Sequence, residues 1–353
     1  MSSKKRFASL ALTALKSNIT RLDRPFKLNF SITYNCQSRC LTCNIWQIRP
    51  KNELTIDEIR EFARKNNYFK WITITGGEPF LRSDIVEIAR AFKDNCKDIY
   101  LMTMPTNSLC NSSTVEARLR QILSLGIPRV AITLSLDGYR ELHDRIRGVQ
   151  GNFDRVMENC RMIKRLQKEY DNLDFVFGYT MSRLNQGQFE KTFQAVKAIF
   201  PEVTYNDFHI NLAQVSENYY QNGALDIKPD GAAAAAELSE ILSKRKSSLD
   251  PMMFIENAFL KKLIEFAKTG KSPMKCRSLE ASVFMDGWGN VYPSIMWNKK
   301  VGNVRESSYD LVPVLNSQTA NEVRKDIIED REPPEWTSCE AYQILTGNIM
   351  SLL

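Results

Sequence analysis

Along the first 212 residues, apolar and polar positions follow two alternating rhythms. Period-two segments at 27–34, 70–75, 98–104, 129–135, 173–181 and 203–212 predict strands; Lys27-Leu-Asn-Phe-Ser-Ile-Thr-Tyr34 shows the pattern at its clearest. Between them, three-to-four-residue spacing predicts helices over 56–66 and 84–95, and near 112–125, 152–170 and 186–199. Thr55-Ile-Asp-Glu58 reads as a capping box, and Ser83 as the N-cap of the helix at 84. Regular β–α alternation predicts a parallel sheet with right-handed crossovers. Six such units make a doubly wound sheet or an incomplete barrel, and in either the active-site residues gather at the C-terminal ends of the strands.

Those ends carry the chain's chemistry. The first strand is followed by Cys36-Gln-Ser-Arg-Cys40-Leu-Thr-Cys43, the second by Gly76-Gly77-Glu78-Pro79, and the third by Pro105-Thr106-Asn107-Ser108. The fourth ends in Ser135-Leu-Asp137-Gly138, and Ser182-Arg-Leu-Asn185 follows the fifth. Polar, glycine-rich and thiol-rich loops on one rim point to an enzyme site rather than a structural metal knot. Beyond 212 the reading is helical to 275, with helices at 232–242 and 253–266. A hairpin then turns through Gly287-Trp-Gly289-Asn290, and helices near 316–330 and 339–352 close the chain.

Composition narrows the classes. With 353 residues, 43% hydrophobic and 25% charged, the chain is neither disordered nor fibrous, and no 18-residue apolar stretch predicts a transmembrane helix. The net charge of +7 is concentrated in residues 1–30, which hold seven cations against Asp23; the remainder carries about +1. A near-neutral body argues against a nucleic-acid groove. The basic arm is amphipathic, with Phe7, Leu10, Ala14 and Ile19 near one face. It reads either as a helix packed on its own domain or, through residues 1–20, as a peripheral contact with an anionic membrane or a lipid-like substrate.

Of eight cysteines, three fall within eight residues, and Cys96, Cys110 and Cys160 read as structural thiols. Three clustered thiolates suit a metal. Zinc wants four protein ligands, yet no fourth Cys or His follows locally; an iron–sulfur cubane would be left with one open iron. Both readings stand on spacing alone. His143 reads as a satisfied helix histidine, and His209 and Asp207 as sheet core or barrel interior.

The cysteine triad after the first strand and Gly-Gly-Glu-Pro after the second, in this order and at this separation, resemble the radical S-adenosylmethionine (radical SAM) superfamily. Ser135-Leu-Asp137-Gly138 with Arg147-Gly148 resembles its MoaA/PqqE-like branch with SPASM or twitch extensions. The resemblance implies a partial (β/α)6 TIM-like barrel with a small α+β C-terminal cap. It divides the chain into a basic arm (1–26), a barrel (27–212), a helical connector (213–275) and a degenerate SPASM/twitch-like domain (276–353). It further implies one [4Fe–4S] cluster on Cys36, Cys40 and Cys43. S-adenosylmethionine would lie against Gly76, Gly77, Glu78 and Pro79, with Ser135, Arg147 and Asn185 at its ribose, amino or carboxylate groups. The implied chemistry is reductive cleavage to a 5′-deoxyadenosyl radical that takes hydrogen from an unactivated carbon, in a cytoplasmic or membrane-peripheral enzyme fed by an external donor such as ferredoxin or flavodoxin. The substrate would be a peptide or cofactor precursor, or alternatively a lipid-like molecule; a metal-stabilised binding protein without turnover is the competing reading. Two departures stand out. Thr42 occupies a position that is often aromatic, and Ser294 falls where the extension's second cysteine belongs. With only Cys276 and Cys339 left, no auxiliary cluster is expected.

Overall fold

The computed structural model describes residues 2–246 and 251–348. The helix α1 (Ser3–Ile19) precedes β1 (Lys27–Thr33), α2 (Ile56–Lys65), β2 (Trp71–Gly76), α3 (Ile85–Asn95) and β3 (Leu101–Thr106). There follow α4 (Ser112–Leu123), β4 (Arg129–Ser135), α5 (Arg140–Arg147), α6 (Asn152–Leu166), β5 (Leu173–Met181), α7 (Phe189–Lys197) and β6 (Phe208–Leu212). These six strands are parallel and lie in the order β6-β5-β4-β3-β2-β1. An order with no reversal moves every crossover one strand in the same direction. This curls the sheet toward a barrel, whereas a doubly wound sheet would reverse at a switch point. The fold is a partial TIM-like barrel.

The expected elements appear with shifts that have local causes. Thr55 and Glu58 form the reciprocal capping box. Asp84, not Ser83, caps α3, without a side-chain bond. Strand β3 runs through Pro105, where the pattern had ended at 104. Its ladder to β2 stops at Thr103, so proline's missing N–H costs no bond on that side. Residues 203–207 form a turn, with a capping box between Thr204 and Asp207, before β6 begins. The helix α5 carries His143, which was read as a helix histidine, although no bounds were expected for that helix.

Period-two alternation sorts each strand. Leu28, Phe30, Ile32, Ile72, Ile74, Val130, Ile132 and Leu134 are buried in the main core with the helices. The other face presents Thr73, Thr75, Thr103, Ala131, Thr133, Ser135, Gly178 and Thr180 to an interior cavity of about 610 Å³. Small and polar residues there leave a chamber where a complete TIM barrel packs bulky branched side chains.

The C-terminal part continues this sheet. Residues 213–230 form an irregular loop, where a helix had been read, and α8 (Gly231–Lys244) and α9 (Pro251–Thr269) follow. Strand β7 (Ser282–Met285) pairs parallel with the free edge of β1, and β8 (Asn290–Tyr292) and β9 (Gly302–Asn303) add antiparallel. After α10 (Leu311–Leu315) and α11 (Gln318–Ile328), α12 (Ser338–Gly347) packs on α1 and α9, and α9 packs on β6. Lys27 and Asn29, on the interior face of β1, bond to α12. A partial barrel leaves a gap between its first and last strands, and here α9 and α12 cross it. No described helix is long and apolar enough to cross a membrane. The arm packs on its own domain through Leu10, Ala14 and Ser17, while Leu12 and Ile19 stay exposed.

Candidate active site

The cysteine loop leaves β1 and is held from three sides. From β2, Gly77 N donates to Thr33 O at 2.8 Å and Glu78 N to Asn35 O at 2.9 Å. This contact is what requires glycine. At Gly76 (φ +144°) a Cβ would lie 2.1 Å from Thr33 O, and at Gly77 it would lie 2.4 Å from Asn35 O and 2.9 Å from the Cys36 Cβ. From α5, the last carbonyls receive the loop: Leu41 N donates to Ile146 O at 2.8 Å, and Arg39 N to Arg147 O at 2.9 Å. Gly148 (φ +65°) ends that helix, and a Cβ there would meet Arg39 O at 2.4 Å. From the loop after β6, Asn44 N donates to Tyr220 O at 2.8 Å and Asn222 Nδ2 to Thr42 O at 3.0 Å.

All three cysteines of the loop line the cavity. Asn107 Nδ2 reaches Cys36 Sγ at 3.6 Å, and Ser38 Oγ lies 3.2 Å from Cys40 Sγ. Burial pushes the Cys36 and Cys43 thiols up to about 12, so both keep their protons at neutral pH unless a metal displaces them. Among the described residues no three Cys, His, Asp or Glu side chains converge on a point that would hold a single ion. A cubane needs no such convergence, because each thiolate takes a different iron.

Glu78 is fully buried between two loops. Its Oε1 accepts from Phe80 N (3.1 Å) and Thr106 Oγ1 (3.0 Å), and its Oε2 from Asn107 N (2.7 Å). Burial raises this carboxyl to about 7 against the opposing pull of those donors. The carboxylate thus ties the second loop to the third and still faces the cavity.

Arg147 is the cation beside the thiols. Its Nη2 pairs with Asp137 Oδ2 at 2.8 Å, and its Nη1 lies 3.8 Å from Cys40 Sγ. Its Nε is buried without a hydrogen-bond partner. Asp137 also accepts from Thr180 N, and Asp137 N donates to His143 Nδ1. His143 Nε2 therefore carries the proton and donates to Asn152 Oδ1 at 3.1 Å. Burial, with Arg147 nearby, drives this imidazole down to about 3, making it a neutral structural residue.

Ser135 reaches the chamber from the end of β4. Asn185 and Pro79 do not line it. The Asn185 amide is spent locally, accepting from Ser182 N and donating to Asp137 O (2.8 Å) and Thr180 O (2.9 Å). Pro79 opens a buried 3-10 turn. The structure adds residues that the sequence reading missed. Tyr219 OH lies 2.8 Å from Thr75 Oγ1 and donates to Gly76 O. Trp46 lines the chamber with its Nε1 buried and unpartnered. Glu53 accepts from Tyr34 N at 2.6 Å and Thr33 Oγ1 at 2.8 Å, pinning the root of the cysteine loop. None of these three stands in a motif that the sequence reading singled out.

In the C-terminal part, Ser294 Oγ caps a turn, accepting from Met296 N and Trp297 N at 3.2 Å. Cys276 is buried against Ser278, whereas Cys339 lies on the cavity wall and packs in the cluster containing Cys36 and Cys43.

Three thiols beside a largely buried cation with an unused donor, opening into one chamber, fit an iron–sulfur cluster with a zwitterionic ligand beside it. Comparisons agree. Residues 30–194 match the model of the Radical SAM superfamily. An AdoMet-dependent heme synthase of Methanosarcina barkeri is 29% identical over 197 residues, 54% of this chain and 52% of the relative. A probable GTP 3′,8-cyclase of Thermococcus kodakarensis is 34% identical over 137 residues, covering 37% and 42%. The chain thus spans about half the length of these relatives. The solved structure of anSMEcpe with bound AdoMet superposes with a TM-score of 0.61 at 13% identity, covering 93% of this chain and 98% of that one. Streptococcus suis SuiB bound to its precursor peptide SuiA gives 0.58 at 18% identity, covering 97% and 74%. At such identities the structural likeness is one of fold.

Proposed function

The chain belongs to the radical SAM superfamily, whose enzymes use a [4Fe–4S] cluster and S-adenosylmethionine, and on that premise we propose how its own residues serve the reaction. When bound, these cofactors supply a one-electron cleavage whose 5′-deoxyadenosyl radical removes hydrogen from an unactivated carbon. Cys36, Cys40 and Cys43 are the ligands of three irons. Gly76 and Gly77 hold the cysteine loop at its working distance, and Glu78 offers its remaining lone pair to the ammonium of the ligand. Arg147, positioned by Asp137, gives its spare Nε–H to the carboxylate, and Ser135 meets the ribose or the methionyl group. Asn185 and Pro79 act from behind the wall, Asn185 as a brace between the ends of β4 and β5. The C-terminal segment holds no second cluster.

The observation that carries this reading is the set around Arg147. One buried guanidinium touches the thiol loop and Asp137 and keeps one donor unused at the chamber wall. Reduction of the reconstituted protein in the presence of S-adenosylmethionine should release 5′-deoxyadenosine. Arg147→Met should abolish detectable binding of S-adenosylmethionine while leaving the iron content intact. Wild-type protein that holds its iron but neither binds nor cleaves S-adenosylmethionine contradicts the assignment and favours a binding protein without turnover.

The substrate we propose is a peptide or a cofactor precursor. The SuiB structure holds a precursor peptide in the same fold, and the two relatives are named for tetrapyrrole and nucleotide chemistry. Electrons come from an external carrier of the ferredoxin or flavodoxin class, in the cytoplasm. A lipid-like substrate, or a peripheral contact with an anionic membrane, is favoured by one feature: α1 exposes Leu12 and Ile19 beside Lys4, Lys5 and Lys16.

A further inference from the structure

Opposite the cysteine loop, the chamber is lined by residues at the N-terminal ends of the strands and by the helices that cross its open side. Trp71 begins β2, five residues before Gly76, so about 16 Å of strand separates it from the cysteine rim. The Trp71 ring stacks on Tyr342 of α12, with centroids 6.1 Å apart, and Tyr342 lies 5.7 Å from His209 of β6. Together they form an aromatic floor, with Lys27 Nζ over the Trp71 ring, 4.1 Å from its centroid.

The polar edges of this floor are ordered by one carboxylate. Glu256 accepts from Arg245 Nη2 and from Tyr342 OH, and its oxygens lie 3.0 and 3.1 Å from His209 Nδ1. Asn211 Nδ2 lies 2.8 Å from His209 Nε2. Its Oδ1 is a buried acceptor with no partner. Trp71 Nε1, on a residue 7% exposed, is a buried donor with no partner. Both residues line the chamber. Leaving both atoms unsatisfied costs free energy that a complementary ligand recovers.

Charge selects the ligand's class. Among the described residues the lining holds three cations besides histidine, and each is engaged. Lys27 is on the Cys339 carbonyl and Gln343, Arg129 on Asp174, and Arg147 on Asp137. Five carboxylates face the same space. A polyphosphate or a polycarboxylate finds no uncommitted cation there.

We propose that Trp71, Tyr342, His209 and Asn211 form a substrate subsite for a neutral, planar amide. Its carbonyl accepts from Trp71 Nε1, its N–H donates to Asn211 Oδ1, and its flanking group stacks on the floor. This rests on the reading above and narrows it from peptide or cofactor precursor to an amide-bearing, peptide-like substrate, excluding nucleoside triphosphates.

The test is ligand-observed NMR on the reconstituted protein with S-adenosylmethionine. The probes are a panel of N-acetyl amino-acid N-methylamides, one for each common side chain, and GTP. At least one amide should bind, weakened tenfold or more by Trp71→Phe, which keeps a ring but removes the donor, and by Asn211→Ala. GTP should give no signal. Binding of GTP that both variants leave unchanged, or an amide panel with no member sensitive to either variant, overturns the proposal. Iron content and S-adenosylmethionine binding, measured on the same samples and variants, report separately on the underlying reading and should not change.

Discussion

At the residue scale, two glycines matter for what stands next to them. The Gly-Gly-Glu-Pro signature suggests backbone drawn close to a ligand, but the contact that forbids a side chain is with the cysteine loop. Gly77→Ala would push a methyl group into Asn35 O and the Cys36 Cβ. We expect a loss of about 1–3 kcal/mol by thermal or denaturant unfolding and a cluster that dissociates faster on exposure to chelator. Unchanged stability and iron retention would contradict the packing argument. Gly148 stands against Arg39 in the same way from α5. The candidate residues were legible because cysteine, glycine and charge sit at fixed spacing on loops that follow strands. What each one touches was not, because Gly77–Asn35 and Gly148–Arg39 are contacts across the fold that no local pattern encodes. Asn185 illustrates the limit: its position after β5 placed it near the rim, but its amide turns inward to satisfy backbone.

At the scale of elements, β4 and β5 were read at their observed bounds because their alternation is bracketed by clear turns. The bounds of α5 were not read, although His143 was placed on a helix, because its eight residues are nearly all polar outside Leu142 and Ile146. The loop 213–230 was read as helix although its Asn, Gly and Pro residues favour turns, and it supplies Tyr219 and Asn222 to the site. The arm α1 only partly matches its expected apolar face: Leu10 and Ala14 are buried, but Phe7 and Ile19 of that face are exposed, as is Leu12. The exposed face should bind vesicles of anionic phosphatidylglycerol in flotation. Leu12→Glu with Ile19→Glu should abolish that binding at unchanged melting temperature, because both side chains already face solvent. Equal flotation of variant and wild type would remove the membrane contact.

At the scale of the whole molecule, the barrel is closed by its own C-terminal segment. Lys27 Nζ donates to Cys339 O at 2.6 Å and Gln343 Oε1 at 2.9 Å, and Asn29, Ser282 and Gln343 bond to Glu340. Burial holds the Glu340 carboxyl up at about 7, above the ordinary carboxylate value near 4.3. With the folded value raised, the native state binds more protons than the unfolded state between those values, so this group's contribution weakens as pH climbs from about 4.3 to 7. Glu340→Gln should flatten that part of the stability–pH profile in urea unfolding; an unchanged slope would show that Glu340 titrates normally. The sequence could not reveal this closure, since it joins residues more than 300 positions apart.

The central claim is that Cys36, Cys40 and Cys43 hold one iron–sulfur cluster open to S-adenosylmethionine. Iron and acid-labile sulfide per chain, counted after anaerobic purification and reconstitution, test it most directly. The account predicts about four of each, both lost when the three cysteines are replaced by alanine. Little iron with one tightly held zinc would contradict it.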